Sequence, residues 1–454
     1  MPPKAYIRTY GCQMNEHDSN QMRGVLITEG YEFTDKPEEA SLILLNTCSV
    51  RHSPENKVYS LLGTLRDHKL TNPELIIGVG GCVAQQEGEK ILKREKAVDM
   101  VFGPDNFFKL PEMIAAVKKG ARVCNTEWME RNRKIQNFVP EEWVERGHVD
   151  GIKAYLAITK GCNNMCTFCI VPFTRGREVS REAENILQEA RSLVRRGAKE
   201  IWLLGQNVNS YQASPGYRFY QLLDDVSRIP GLERIRFTSP HPKDWNNALS
   251  DLMAERKIIA NHLHLPFQAG SDRILHLMRR NHTLDEYLEK VKYLQRVVPG
   301  VELSADLIVG YPTETEEDFE QTLHCVKEAG FSQLFAFKYS PRPGTDAAAL
   351  EDDVPREVKE ERLARVMQLQ RQLTEAQIQA YHGTIQEVLI DAAHPRLQHW
   401  MNGRTQGFRP ISFHAPRHEI GDVVHVRVTA HEGHWLEGEL AASEALTGVL
   451  AGQR

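Results

Sequence analysis

The sequence predicts an α/β protein in three parts: an open parallel sheet, a partial (β/α)6 barrel and a small all-β barrel. Three observations predict it. Strand-like runs alternate with helical patterns over the first 120 residues, six further strand-like runs follow with helices between them, and short β-rich runs between glycines take over after about residue 380. A chain of 454 residues with 41% hydrophobic content can bury a large core and divide into about three domains. We place the boundaries at 4–120, a linker at 121–147, 148–378 and 380–446.

In the first part three strand-like runs each end in a cysteine: Tyr6-Ile7-Arg8-Thr9-Tyr10-Gly11-Cys12, Leu42-Ile43-Leu44-Leu45-Asn46-Thr47-Cys48 and Leu75-Ile76-Ile77-Gly78-Val79-Gly80-Gly81-Cys82. The segments between them, near 17–29 and 54–67, have the length and apolar spacing of helices, so the strands should run parallel. Carboxyl ends of parallel strands share one edge, where open α/β sheets place ligands; Cys12, Cys48 and Cys82 are therefore expected to converge. The plain alternative is three ordinary buried cysteines. A polar stretch, 120–150, then reads as a linker wrapping between domains.

The six runs of the second part are 153–160, 200–204, 234–239, 262–268, 302–309 and 332–339, separated by helical patterns such as 184–196, 283–297 and 315–329. A barrel of six units instead of eight has an open side. Sites in such barrels lie at the carboxyl ends of the strands. Gly161-Cys162-Asn163-Asn164-Met165-Cys166-Thr167-Phe168-Cys169 begins directly after the first run. The segments Gly205-Gln206-Asn207-Val208-Asn209-Ser210-Tyr211, Ser239-Pro240-His241-Pro242, Gln268-Ala269-Gly270-Ser271 and Gly310-Tyr311-Pro312-Thr313-Glu314 should face the same chamber.

The C-x3-C-x2-C spacing supplies three thiolates to a cluster and leaves a fourth metal position open to a substrate. A zinc site or a disulfide is the alternative, but structural zinc wants four closed ligands and no fourth Cys or His stands close by in sequence. Eight cysteines in so long a chain are too few for a secreted disulfide framework and suit a reducing compartment. The start of the chain has no apolar stretch of signal-peptide length and no later segment approaches a membrane span, so the expected location is the cytoplasm. A net charge of -5 makes any nucleic-acid surface a local feature.

The third part carries runs such as Gln386-Glu387-Val388-Leu389-Ile390 and Val423-Val424-His425-Val426-Arg427-Val428. From 394 to 418 there is no Asp or Glu, while Arg396, Arg404, Arg409 and Arg417 alternate with Trp400, Phe408 and Phe413. Guanidinium groups for phosphates interleaved with rings for bases suit a small RNA-binding barrel. An acid-free, solvated loop is the alternative.

The loop of Cys162, Cys166 and Cys169 resembles that of the radical S-adenosylmethionine superfamily, which implies a 4Fe-4S cluster whose fourth iron chelates the amino and carboxylate groups of the nucleotide. Two cysteine sets in this order and a terminal barrel resemble the methylthiotransferases of that superfamily over nearly the whole chain. Thr9-Tyr10-Gly11-Cys12-Gln13-Met14-Asn15, Asn46-Thr47-Cys48-Ser49-Val50-Arg51, Ile170-Val171-Pro172-Phe173-Thr174-Arg175-Gly176-Arg177-Glu178 and Leu204-Gly205-Gln206-Asn207-Val208-Asn209-Ser210-Tyr211 resemble its tRNA-modifying MiaB type. Phe173 stands where many relatives have Tyr, which preserves the ring. The terminal part resembles a TRAM domain, with Gly403-Arg404-Thr405 in its usual place.

The resemblance implies a methylthio transfer to C2 of an N6-isopentenyladenosine just 3′ of the anticodon of tRNA, with S-adenosylmethionine as both methyl donor and radical source. It implies an auxiliary 4Fe-4S cluster on Cys12, Cys48 and Cys82, nucleotide contacts from Phe168, Gly205, Gln206 and Asn207, and tRNA contacts from Trp400, Arg404, Phe408 and Arg409. Implied partners are an electron donor such as flavodoxin or ferredoxin and iron-sulfur assembly proteins, around a monomer with no membrane association. The barrel is then expected to cleave the nucleotide alone, with the tail serving tRNA capture. Two other classes stay open: a methylthiotransferase acting on a ribosomal protein aspartate, and a non-enzymatic iron-sulfur RNA-binding protein.

Overall fold

A computed structural model of the chain describes residues 2–49, 52–128, 137–139 and 149–442. Val50 and Arg51, and most of the expected linker 121–147, lie outside the described residues. Among the described residues no helix is long and apolar enough to cross a membrane.

The amino-terminal strands β1 (Lys4–Thr9), β2 (Glu32–Phe33), β3 (Leu42–Thr47), β4 (Ile76–Gly81), β5 (Met100–Phe102) and β6 (Val123–Asn125) form one parallel sheet in the order β2-β1-β3-β4-β5-β6. Every residue of β3 and β4 is buried, as befits central parallel strands covered on both faces. Helices α1 (Gln13–Thr28), α2 (His52–Thr71) and α3 (Cys82–Glu87) follow the three cysteine-ending strands, so those strands are parallel as expected. The outer strands β2, β5 and β6 are not legible in the sequence because two or three residues carry no periodicity.

All six expected barrel strands are present. Lys153–Ala157, Glu200–Leu204 and Arg234–Phe237 form one parallel sheet, and His262–His264, Glu302–Val309 and Gln333–Lys338 form another. A parallel bridge between Ile235 and Ile259 connects the two. Strand alternation sorts the side chains. Ile201, Leu203 and Ile235 enter the core under the helices Ala183–Arg195 and Phe219–Ser227. Glu200, Trp202, Arg234 and Arg236, the residues between, therefore face the lumen.

The terminal strands Ile385–Ala393, Trp400–Thr405, Pro410–His414, Val423–Glu432 and Trp435–Leu440 close a five-stranded barrel around Val388, Ile390, Ile411, Phe413, Val426 and Leu436. The acid-free stretch 394–418 is therefore not a solvated loop, since two strands run through it and Phe413 is core. The turn between those strands enters the floor of the partial barrel. The Phe408 ring lies 5.3 Å from Trp202 and 5.6 Å from His262, with the Arg236 and Arg404 guanidinium carbons 4.7 and 4.8 Å from its centre. Arg236 donates to the carbonyls of Thr405 and Gln406 at 3.1 and 3.3 Å, and Arg234 to that of Arg404 at 2.8 Å.

Arg409 is buried at this junction, 2.8 Å from Glu302 and bonded to Gln377, and Glu302 also accepts from the Tyr381 hydroxyl. The expectation that Arg409 contacts RNA is corrected accordingly, since its side chain is committed to the protein's own interior; the half-buried Phe408 ring packs against Trp202 and His262. Removing one partner of a buried pair strands the other charge and costs about 3 kcal/mol. Arg409→Ala is therefore expected to lower the urea midpoint by that free energy; an unchanged midpoint would show that the junction adds nothing to stability.

Candidate functional site

The barrel thiols sit on a loop pinned to distant strand ends. Gly161, at a φ of 76°, gives its N–H to Gln206 Oε1 at 2.6 Å, and a Cβ there would lie 2.6 Å from the Arg177 carbonyl carbon. Thr167 takes the Leu277 carbonyl and the Tyr311 hydroxyl, both at 2.9 Å. The Asn164 N–H points at Cys162 Sγ at 3.5 Å, and Arg280 Nη1 at Cys166 Sγ at 3.6 Å while its Nη2 holds the Pro266 carbonyl. Burial pushes the Cys162 thiol up to about 11 and the Cys169 thiol up to about 12. Both are neutral thiols near pH 7 until a bound cation displaces the protons.

The amino-terminal thiols stand at the ends of neighbouring parallel strands. Cys12 caps α1, Cys48 directly follows β3, and Cys82 opens α3 at the end of β4. Gly11, at a φ of 110°, passes so close that a Cβ would sit 2.7 Å from Cys48 Sγ. A hydrogen bond from Cys48, assisted by the charge of Arg175, brings the Cys12 thiol down to about 6, whereas burial raises that of Cys82. Asn15 stitches the strand ends: its Nδ2 donates to the Tyr10 and Thr47 carbonyls at 2.8 and 2.9 Å. Thr47 Oγ1 continues the chain to the Gly80 carbonyl at 2.6 Å.

Both donor sets fit iron-sulfur clusters. Each offers three buried or half-buried thiols, and in the barrel set a backbone and a guanidinium N–H are aimed at sulfur. Among the described residues no three His, Cys, Asp or Glu side chains close on a single metal ion.

Sequence reasoning missed Arg175, Asn15, Asp18 and Arg280 as individual residues. Arg175 leaves the barrel six residues beyond Cys169 and donates to Asn15 Oδ1 and Asp18 Oδ2, both at 2.7 Å, on helix α1. Arg175 and Asn15 both stand in family-like segments, but no single-sequence signal joins residues 160 positions apart. Of the expected nucleotide contacts, Gln206 holds the cysteine loop, and at Gly205 an added Cβ would lie 3.1 Å from Val208 Cα. Asn207 keeps a buried Oδ1 without a hydrogen-bond partner while its Nδ2 holds Asp244 at 2.7 Å, so it retains a free acceptor. Phe168 is half-buried beside Ile274, Met278 and Tyr311.

Of the expected RNA contacts, Trp400 lies beside His394 and His414 at ring distances of 6.5 and 6.4 Å, and Arg396 and Arg417 of the same stretch are exposed. Arg404 is partly exposed, with Asp391 at 3.6 Å and its guanidinium over Phe408.

Three family models match the chain: Uncharacterized protein family UPF0004 over residues 4–103, the radical SAM superfamily over 156–326 and the TRAM domain over 379–441. A tRNA-2-methylthio-N(6)-dimethylallyladenosine synthase of Bdellovibrio bacteriovorus is 46% identical over 93% of this chain and 92% of its own length. Proteins of the same name from Geobacillus thermodenitrificans and Alkalilimnicola ehrlichii are each 43% identical, over 96% and 97% of this chain and 83% and 98% of theirs. Among solved structures, the radical S-adenosylmethionine methyltransferase TsrM of Kitasatospora setae, with tryptophan substrate and a SAM analog bound, shares the fold at a TM-score of 0.56 and 14% identity. That match covers 76% of this chain and 75% of TsrM.

Proposed function

The chain belongs to the family of tRNA-2-methylthio-N(6)-dimethylallyladenosine synthases, radical SAM enzymes that transfer a sulfur-containing group, and from that premise we propose how its residues divide the work. The substrate is tRNA carrying N6-isopentenyladenosine beside the anticodon, and the product carries a methylthio group at C2. One observation supports this reading above the rest: two groups of three thiols, each at the carboxyl edge of a parallel sheet, joined across the domain boundary by Arg175.

Cys162, Cys166 and Cys169 hold one 4Fe-4S cluster together with S-adenosylmethionine, and Cys12, Cys48 and Cys82 hold a second. When bound, the first supplies the electron that releases a 5′-deoxyadenosyl radical from the nucleotide, and the second presents the sulfur; such chemistry suits a C2–H that acid and base groups cannot activate. Around them, Gln206 and Thr167 fix the cysteine loop, and Arg280 steadies Cys166. Phe168 and Asn207 offer an apolar wall and a free acceptor at the mouth. Phe408 stops the floor and so keeps bulk water from a lumen in which a radical is generated. An electron carrier of the flavodoxin or ferredoxin kind and cytoplasmic iron-sulfur assembly complete the system.

The deciding experiment is nucleoside mass spectrometry after incubating the anaerobically reconstituted protein with S-adenosylmethionine, a reductant and isopentenylated tRNA, with unmodified tRNA as control. The methylthio nucleoside is expected only from the isopentenylated tRNA. Product on a ribosomal protein with none on tRNA would overturn the reading.

For tRNA capture, Trp400 with exposed Arg396 and Arg417 forms the stacking and phosphate face. Arg396→Ala with Arg417→Ala is expected to reduce the slope of log affinity against log salt by about 2, one for each phosphate left without its arginine, and to leave deoxyadenosine formation unchanged. A slope equal to that of the parent would move the phosphate face elsewhere.

A further inference from the structure

Arg175 reaches from the barrel segment into the amino-terminal domain. It is 2% exposed and bonds two residues of α1, and its positive charge opposes the burial that raises the Cys82 thiol. Its Asp18 partner is equally enclosed, with side-chain exposures of 3% and 5% for the pair. Asn15, the second acceptor, is the residue that ties the strand ends before Cys12 and Cys48. Arg175 thus bears on the scaffold of Cys12 and Cys48 through Asn15 and on Cys82 through its charge, although it arrives on the chain segment that carries the barrel thiols. The other charged pair on the same side of α1, Lys160 with Asp105 at 2.5 Å, is closed on itself and on the Pro104 carbonyl.

A buried ion pair is a costly way to fasten two domains, because desolvation of both groups consumes most of the Coulomb gain. Its retention beside a redox group has another consequence. Taking up one electron makes a cluster one unit more negative, and in a site of low dielectric a fixed cation nearby favours that state while a fixed anion opposes it. Hydrogen bonds to the ligating sulfurs act in the same direction as the cation.

We infer that the Asp18–Arg175 pair sets the reduction potential of the cluster on Cys12, Cys48 and Cys82, Arg175 raising it and Asp18 restraining it, with Arg175 a positioning residue that also holds the two clusters' domains in apposition. The inference rests on the assignment of a second cluster to those three cysteines.

The two residues give opposite signs, which separates an electrostatic role from a merely structural one. The test uses full-length protein carrying Cys162→Ala, Cys166→Ala and Cys169→Ala, reconstituted anaerobically so that any cluster is the amino-terminal one, with iron analysis and a reductive titration followed by electron paramagnetic resonance. In that background Arg175→Gln is expected to shift the midpoint potential to more negative values and Asp18→Asn to less negative ones, while Arg175→Lys stays near the parent. Iron content should be equal in all four. Shifts of the same sign, or no shift at equal iron, overturn the inference. Iron lost in Arg175→Gln, whether or not Arg175→Lys restores it, would show a structural role in holding the cluster and overturns the inference. If the background protein itself binds no iron, the assignment of Cys12, Cys48 and Cys82 fails first, an outcome distinguishable from a cluster that forms and ignores the pair.

Discussion

Replacing Cys162, Cys166 and Cys169 with Ala is expected to abolish 5′-deoxyadenosine formation while leaving about half of the iron bound, because the two thiol groups share no ligand and lie on different sheets. The converse triple variant, Cys12, Cys48 and Cys82 to Ala, should still cleave S-adenosylmethionine yet make no methylthio product. Iron content, deoxyadenosine and modified nucleoside are measured on the same preparations. The expected losses are complete because no protein side chain at either site substitutes for an electron or a sulfur atom. Apposition through Arg175 does not make either cluster depend on the other for its ligands. Loss of all iron from either triple variant would sink the idea of two separately held clusters.

The fold was legible where periodicity ran long enough. The helices Ala183–Arg195, Leu284–Val297 and Glu316–Ala329 and four of the six barrel strands stand within a residue or two of their sequence positions, while the strands expected at 153–160 and 262–268 end early, at Ala157 and His264. Cysteine placement was legible for a different reason: a parallel sheet has one carboxyl edge, so three strand-end cysteines had nowhere else to meet. What stayed hidden were pairings between distant side chains. Arg175 and Asn15 each stand in a family-like segment, and Glu302 and Arg409 are 107 residues apart, with nothing in one sequence to pair them. The same blindness explains the error over Arg409. Arginines interleaved with rings describe a surface for RNA and a cation–π junction equally well, and only burial separates the two.

Removing the terminal barrel near Tyr381 is accordingly expected to do more than weaken tRNA binding. The sequence alone suggests an enzyme that keeps cleaving the nucleotide without its tail. In the structure the tail supplies the floor of the lumen: truncation removes Phe408 from between Trp202, His262 and Arg236, and takes the Thr405 and Gln406 carbonyls from Arg236 and that of Arg404 from Arg234. Arg234 and Arg236 are almost wholly buried, and exposing them to water while Trp202 and His262 lose their cover leaves an open apolar and charged cleft. Phe408→Ala isolates the contribution of the stopper. It should cost about 3 kcal/mol, the low end for a phenylalanine removed from a core because the ring is only half-buried. Both variants should therefore show a lowered urea midpoint and a deoxyadenosine yield that falls in step with the open floor, the truncation far more than the point change, whereas Arg396→Ala with Arg417→Ala moves neither. A truncated chain with the parent's midpoint and an undiminished deoxyadenosine rate would show that the barrel closes without its tail, and that Phe408 merely rests against it.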